Sequence, residues 1–155
     1  MIMEQRLNPY TTTPDLAKLL IDYGNSIEKA GLEPSLLELV KIRASQINGC
    51  AVCLTMHTEA ARWEGETERR IYLLDAWRDS TLYSARERAA LGWTEALTRL
   101  SPTGVPDDVY EAAKAEFTDK ELAILTFMIT AINSFNRLNV GFSISDSIVA
   151  TRKAA

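Results

Sequence analysis

Apolar residues recur along the chain at the three- and four-residue intervals typical of helices that bury one face. At the N-terminal end, Thr13-Pro14 is a helix-start signal with proline at the first helical position, and Gly31 is an end signal. The apolar positions between them keep helical spacing: Leu16, Leu19, Leu20, Tyr23 and Ile27. This pattern predicts a first helix between Pro14 and Gly31.

Further start and stop signals divide the rest of the chain in the same way. Capping boxes, in which Ser or Thr is followed three residues later by Glu, occur at Ser35, Ser84 and Thr118. With the breaks at Asn48-Gly49 and Gly65, they predict helices at about 35–47, 50–63, 66–77, 84–100, 107–117 and 118–137. Sustained alternation of apolar and polar residues is absent. We therefore predict an all-α fold, a single-domain helical bundle of about six to seven helices.

The last predicted helix is unusual because it is apolar on nearly every face. Its sequence over 121–135 is ELAILTFMITAINSF. A helix of this kind is buried in a core or packs against another subunit. In a chain of 155 residues we expect both, and therefore a homo-oligomer.

Composition and charge narrow the function classes. The chain is 46% hydrophobic and 25% charged, which is ordinary for one globular domain, and its formal net charge is -4. Without a cluster of Lys and Arg, we expect no nucleic-acid partner. No apolar run approaches the length of a membrane span, and the first 14 residues lack a signal-peptide core. We expect no membrane association and a cytoplasmic protein, in which thiols are normally reduced.

The two cysteines form a Cys50-x-x-Cys53 pair at the predicted start of a helix, after Asn48-Gly49. Unpaired N–H groups at a helix start favour an anion such as a thiolate, and this context lowers the pKa of a cysteine. Residues three apart share a helical face, so the two thiols can close a disulfide. His57, the one histidine of the chain, lies four residues after Cys53 on the same face. Its imidazole can accept the thiol proton.

Glu38 on the preceding predicted helix is a candidate third member of this group. If helices 35–47 and 50–63 pack as an antiparallel pair around Asn48-Gly49, Glu38 can approach His57 and orient its ring. Glu38 is also the last residue of the Ser35 capping box, which explains it equally well.

Other interpretations of these residues remain open. A cytosolic cysteine pair can be two small buried hydrophobic side chains, and a single histidine can be a partly buried residue with its hydrogen bonds satisfied. A zinc site would use Cys50, Cys53, His57 and Glu38. We consider it less favoured, because three of those ligands would come from two turns of one helix and a second Cys-x-x-Cys is absent.

The stretch from Glu38 to Thr58 resembles the alkyl hydroperoxidase D-like (AhpD-like) group of the carboxymuconolactone decarboxylase superfamily. The shared pattern is a Glu, then Asn-Gly-Cys-x-x-Cys, then x-x-x-His, and this chain matches it in order and spacing. Segments 90–97 and 131–138 also resemble such proteins, so the resemblance covers about residues 35–140. It implies an AhpD-like helical domain over 1–155 with its core at about 35–140, assembled as a trimer or hexamer.

The resemblance also implies an activity: a peroxiredoxin-type alkyl hydroperoxide reductase, an oxidoreductase that reduces alkyl hydroperoxides. By this comparison Cys53 is the peroxidatic thiol, Cys50 resolves it, and His57 with Glu38 relays protons. The implied partners are a peroxide and an external dithiol or thioredoxin-like reductant, with no metal or organic cofactor. Some members carry a further histidine where this chain has Val52. The helix start alone would favour Cys50 as the thiolate, whereas the nearby imidazole favours Cys53.

Two other functions remain as alternatives. A carboxymuconolactone decarboxylase-type enzyme would use His57 and Glu38 as acid and base, although superfamily members with that activity typically lack the cysteine pair. A redox-sensing or interaction oligomer would use the disulfide to change assembly without turnover.

Overall fold

A computed structural model describes residues 4–150, apart from the side chains of Thr103 and Ala150. The expected domain boundaries at 1 and 155 therefore lie outside the described residues. Within them the chain forms ten α-helices and no strand, which confirms the all-α prediction. The helices are α1 (Pro9–Thr12), α2 (Pro14–Glu28), α3 (Pro34–Asn48), α4 (Ala51–Trp63), α5 (Glu68–Leu73), α6 (Ala85–Thr98), α7 (Leu100–Thr103), α8 (Asp107–Glu116), α9 (Asp119–Gly141) and α10 (Ser147–Ala150).

Local capping chemistry explains where two of the long helices begin. At Ser84 and Thr118 both halves of the capping box are formed, and α6 and α9 start immediately afterwards. The predicted box at Ser35 is wrong. Helix α3 begins one residue earlier, at Pro34, and Glu33 is its N-cap, without a side-chain capping bond. Proline suits the first helical position because it lacks the N–H that would have no partner there. Glu38 is therefore not a capping residue and is free to point elsewhere.

The core is built around α3, which packs against α4, α6 and α9. Every residue from Leu36 to Ser45 is buried, so α3 is covered on all sides. One core cluster joins α3 to α6, α8 and α9, and a second joins it to α5 and the following turn at Leu74–Ala76. A third, smaller cluster contains the two cysteines. The helix that carries Glu38 is thus the most enclosed element of the structure.

The apolar face of α2 is less buried than the sequence pattern predicts. Leu16 and Leu19 are about two-thirds exposed, whereas Ala17 and Ile27 are buried against the bundle. Helix α9 also leaves Phe127 more than half exposed, although its opposite face fills the core. The predicted homo-oligomer would cover such side chains, and it stays a prediction. None of the helices described between residues 4 and 150 has the length and apolar character that crossing a bilayer requires.

Candidate redox site

The turn between α3 and α4 brings the two cysteines to a helix start. Gly49 ends α3 in the left-handed conformation, with φ of 66°, and its N–H and that of Cys50 bond to carbonyls of the last turn. Glycine adopts this conformation without the strain that a Cβ adds. Cys50 is the N-cap of α4, and its Sγ accepts the N–H of Cys53 at 3.3 Å. The predicted break at Asn48-Gly49 and the predicted helix start at the cysteine pair are confirmed.

The two sulfurs are joined in a disulfide, with the Cα atoms 5.3 Å apart. Both cysteines are almost fully buried, at 1% and 2% exposure. Besides the amide of Asn139, which contacts Cys53, the side chains packed around the pair are apolar and come from α3, α4, α9 and the segment after α9: Ala44, Val52, Ile132, Phe142, Ile144 and Val149. A reactant therefore reaches the sulfurs only where these packed side chains give way.

Val52, at the position where some relatives carry a further histidine, is part of this apolar wall. It is 6% exposed and packs in the same cluster as the two cysteines. A histidine buried there would need a polar partner for each ring nitrogen that it brings out of water. Valine fits the apolar surroundings instead, so this position contributes no ionisable side chain next to the cysteines.

Glu38 and His57 meet across the α3–α4 pair, as the antiparallel arrangement predicts. Glu38 Oε2 lies 3.0 Å from His57 Nδ1, and both side chains are largely buried. When Glu38 is ionised, the N–H at Nδ1 donates a hydrogen bond to the carboxylate. In the singly protonated ring this tautomer leaves Nε2 as an acceptor, and His57 lies on the helix face that also carries Cys53.

Lys41 holds the other side of the Glu38 carboxylate. Its buried ammonium lies 2.5 Å from Glu38 Oε1 and 2.7 Å from Glu28 Oε1 on α2. Burial raises the pKa of Glu38, but the hydrogen bond and charge of His57, together with the charge of Lys41, lower that pKa more. Glu38 therefore stays ionised at neutral pH, and both of its oxygens have partners that fix its orientation.

Three asparagines on α9 complete the site, and none of them is a candidate from the sequence. Asn133 and Asn136 each accept a hydrogen bond at 2.9 Å from the Nδ2 of Asn48, which anchors the turn before Cys50. Asn139 donates from Nδ2 to Cys53 Sγ at 3.3 Å. Their spacing of three residues places them on one face of the helix, and this polar stripe within an apolar helix is the signal that could have identified them.

The four predicted site residues form two pairs on the α3–α4 hairpin: Glu38 lies on α3, Cys53 and His57 lie on α4, and Cys50 is the N-cap of α4. Cys50 and Cys53 are bonded to each other, and Glu38 is bonded to His57. Within residues 4–150, we find no group of three or more His, Cys, Asp or Glu side chains arranged to hold a metal ion. The arrangement suits thiol–disulfide chemistry assisted by a carboxylate-oriented imidazole.

Known proteins with similar sequences point to one family. The sequence profile of the carboxymuconolactone decarboxylase family matches residues 14–96, which is more than half of the chain. The Bacillus subtilis protein YdfG is 38% identical over 138 residues, and the match covers 89% of this chain and 94% of YdfG.

Similar folds occur among solved structures. A protein of unknown function from Agrobacterium tumefaciens, described as a candidate antioxidant defence protein AhpD, is 41% identical with a TM-score of 0.89, over 92% of this chain and 97% of that one. A peroxidase-related protein from Silicibacter sp. has the same fold at 20% identity and a TM-score of 0.76, over 88% of this chain and 72% of that one. These matches confirm the resemblance carried by the segment from Glu38 to Thr58. The chain belongs to the carboxymuconolactone decarboxylase family.

Proposed function

We propose that the protein is a thiol peroxidase that reduces organic hydroperoxides through Cys53 and Cys50. The main support is the hydrogen bond between Glu38 and His57, at 3.0 Å, on the helix face that carries Cys53. A carboxylate that fixes the tautomer of an imidazole next to a nucleophile is the arrangement that activates thiols for attack. The name of the Agrobacterium tumefaciens relative, which is 41% identical, agrees with this class of activity.

In the proposed cycle the reduced protein reacts first. His57 takes the proton of Cys53, and the thiolate attacks the terminal oxygen of the hydroperoxide. The O–O bond breaks, the sulfur becomes a sulfenic acid, and the alkoxide leaves as an alcohol with the proton that His57 returns. The Cys50 thiol then attacks the sulfenic sulfur, which releases water and forms the disulfide.

An external dithiol closes the cycle. Its thiolate attacks one sulfur of the disulfide, and the other sulfur leaves as a thiolate. The second thiol of the reductant then releases the protein thiol, so that two electrons and two protons have passed from the reductant to the cysteine pair. A thioredoxin-like protein or a small dithiol has the required chemistry. Both sulfurs are buried, and a flat protein surface could not bring a thiol into contact with them. We therefore expect the reductant to be a small dithiol or a protein whose dithiol protrudes from its surface.

The roles of the two cysteines follow from their neighbours. Cys53 shares a helix face with His57 and accepts a hydrogen bond from Asn139, so both a base and a donor serve it. Cys50 precedes the first turn, and within the described part of the chain its sulfur accepts one hydrogen bond, from the N–H of Cys53. We therefore assign attack on the peroxide to Cys53 and resolution to Cys50.

The test is to give the reduced protein one equivalent of an organic hydroperoxide and to count free thiols. Two thiols should disappear and one alcohol should form. Cys53→Ser should abolish consumption, whereas Cys50→Ser should consume one peroxide and stop at the sulfenic acid. The double cysteine variant is the blank. Unchanged thiols in the parent protein would contradict the proposal, and the opposite pattern in the single variants would exchange the two roles.

The same experiment separates the two alternative functions. A redox sensor would form the disulfide and change its assembly, and with a dithiol present it would consume peroxide far too slowly for catalytic turnover. A decarboxylase-type enzyme would act on its substrate with both cysteines replaced, because His57 and Glu38 would supply its acid and base. The disulfide-bonded pair favours the peroxidase over the decarboxylase-type enzyme, for which the cysteines have no role, and the turnover measurement separates the peroxidase from the sensor.

A further inference from the structure

A chain of two hydrogen bonds reaches the cysteine pair from α1 and α9. The Tyr10 hydroxyl, on α1, donates to Asn139 Oδ1 at 2.8 Å, and Asn139 Nδ2 donates to Cys53 Sγ at 3.3 Å. Asn139 is 6% exposed, so its amide has no ready exchange with water. Tyr10 and Asn139 are 129 residues apart in the chain, and α1 reaches the site only because the N-terminal segment folds back along the end of α9.

The orientation of the Asn139 amide follows from its two partners. A phenol donates one hydrogen bond, and a sulfur without a proton can only accept. The amide therefore has to turn its oxygen to Tyr10 and its N–H to Cys53 whenever that sulfur is a thiolate or part of the disulfide. Burial raises the pKa of Tyr10 more than the hydrogen bond with Asn139 lowers it, so the phenol keeps its proton at neutral pH.

The N-terminal segment is itself tied to the structure. The Arg6 N–H donates to the carbonyl of Phe142 at 3.0 Å, and the Arg6 guanidinium donates to the carbonyl of Gly141 at 3.1 Å. Asn8 caps α1 by accepting the N–H of Tyr10. Because these contacts join the segment to the end of α9, the Tyr10 hydroxyl is held against the helix that carries Asn139.

We propose that Asn139, held in place by Tyr10, is a positioning residue that stabilises the thiolate of Cys53. A hydrogen bond to the charged form of a group favours that form. Within residues 4–150 no side-chain amide donates to Cys50 Sγ, so this donor distinguishes the two sulfurs. The inference rests on the proposed function for its role in turnover, but the effect on the thiol itself does not depend on any peroxide.

Other groups act on the same sulfur and have to be kept constant. Tyr10 on α1 is the titratable group of the hydrogen-bonded chain to Cys53, and the neighbouring helices contribute His57 on α4 with Glu38 and Lys41 on α3. Helix α9 contributes the asparagine amides and the charged Arg137, whose guanidinium donates to Asn133, and the segment that follows it contributes Asp146, which is exposed. A change at Asn139 leaves the Glu38–His57 pair in place, so its effect can be separated from theirs.

The test measures the thiol pKa of Cys53 in a Cys50→Ser background, where one cysteine remains and serine is a good N-cap. Thiolate formation is followed by ultraviolet absorbance against pH, with the cysteine-free protein as the blank. In this background Asn139→Leu removes the donor at similar volume. We expect the Cys53 pKa to rise by about one unit, a roughly tenfold loss of thiolate near neutral pH. Tyr10→Phe should raise it by a smaller amount, and Tyr110→Phe, a remote matched control, should not change it.

Adding Tyr10→Phe to Asn139→Leu should produce no further shift, because Tyr10 acts through Asn139. A merely structural role would lower the melting temperature without moving the thiol pKa. The proposal is overturned if folded Asn139→Leu has the parent pKa. If that variant does not fold, Tyr10→Phe decides: a pKa equal to that of Tyr110→Phe overturns the proposal, and a rise supports it. Failure of peroxide consumption alone would instead count against the proposed function.

Discussion

Replacing Glu38 by glutamine is the most informative change at the site, because it keeps the shape and removes one buried charge. Glu38 makes two charge-assisted contacts, at 3.0 Å to His57 and at 2.5 Å to Lys41. Losing a hydrogen bond to a charged group costs about 1.5–3 kcal/mol, and a broken buried ion pair costs up to about 5 kcal/mol. Lys41 keeps Glu28 at 2.7 Å, and the glutamine oxygen can still accept one bond. We therefore expect a loss of about 2 kcal/mol.

Urea unfolding gives this free energy directly, and the melting temperature should fall by about 4–8 °C for a chain of this size. Glu33→Gln is the matched control. Glu33 begins the same helix and pairs with Arg86 at 2.8 Å, but it is half exposed, so its loss should cost less than about 1 kcal/mol. In the peroxide assay Glu38→Gln should lower the rate by about 10²-fold or more, since the imidazole loses its orienting partner. Equal losses of stability in the two variants would refute the reasoning.

The contribution of Glu38 to the free energy of unfolding should depend on pH, and the Glu38→Gln variant measures that dependence. The pKa of Glu38 is below its usual value because His57 and Lys41 outweigh the effect of burial. A depressed pKa contributes stability that is complete above the unfolded-state pKa, near 4.5, and is lost as the pH falls through the folded-state pKa. The stability gap between the parent and Glu38→Gln should therefore be full at about pH 7 and shrink below about pH 4. A gap that is the same at both values would contradict this.

Three further substitutions test the helix ends and the turn that position the site. Gly49→Ala should cost about 1 kcal/mol in urea unfolding, since φ is 66° and no atom lies within 4 Å of the added Cβ, whereas Gly141→Ala, which has ordinary backbone, should cost nothing. Asn48→Ala should cost about 1–3 kcal/mol and speed amide exchange at the turn; unchanged exchange would argue against the asparagine anchor. Ser84→Ala should cost about 1 kcal/mol by thermal melting and Ser35→Ala almost nothing, and equal losses would be inconsistent with the observed helix starts.

The features that were predicted correctly from the sequence depend on residues that are close together in the chain. The helix starts at Ser84 and Thr118 depend on side chains and N–H groups three residues apart, and these can be identified without knowing the fold. The cysteine pair and His57 lie on one helix, so their shared face follows from spacing alone. The Ser35 box is wrong because Pro34 supplies a competing start signal one residue earlier, and local reasoning does not rank the two.

Long-range partners explain what the sequence does not predict. Asn139 bonds to a sulfur 86 residues away, and Lys41 is held by Glu28 of α2 as well as by Glu38. Identifying either contact requires the packing of α9 and α2 against the α3–α4 pair. The exposure of Leu16 and Leu19 could not be predicted from the sequence for the same reason. Helical periodicity identifies an apolar face, but it does not show which element of the fold, if any, covers that face.

The closeness of the two buried sulfurs affects how the protein would survive excess peroxide. Further oxidation of a sulfenic acid to the irreversible sulfinic acid needs a second peroxide molecule at the same sulfur. In the disulfide the Cα atoms of Cys50 and Cys53 are 5.3 Å apart, so in the proposed cycle the effective concentration of Cys50 at the sulfenic acid would far exceed that of any solute. The apolar side chains around the pair slow the arrival of the second molecule as well. Disulfide formation should therefore be faster than oxidation to the sulfinic acid even when the surrounding peroxide concentration is high.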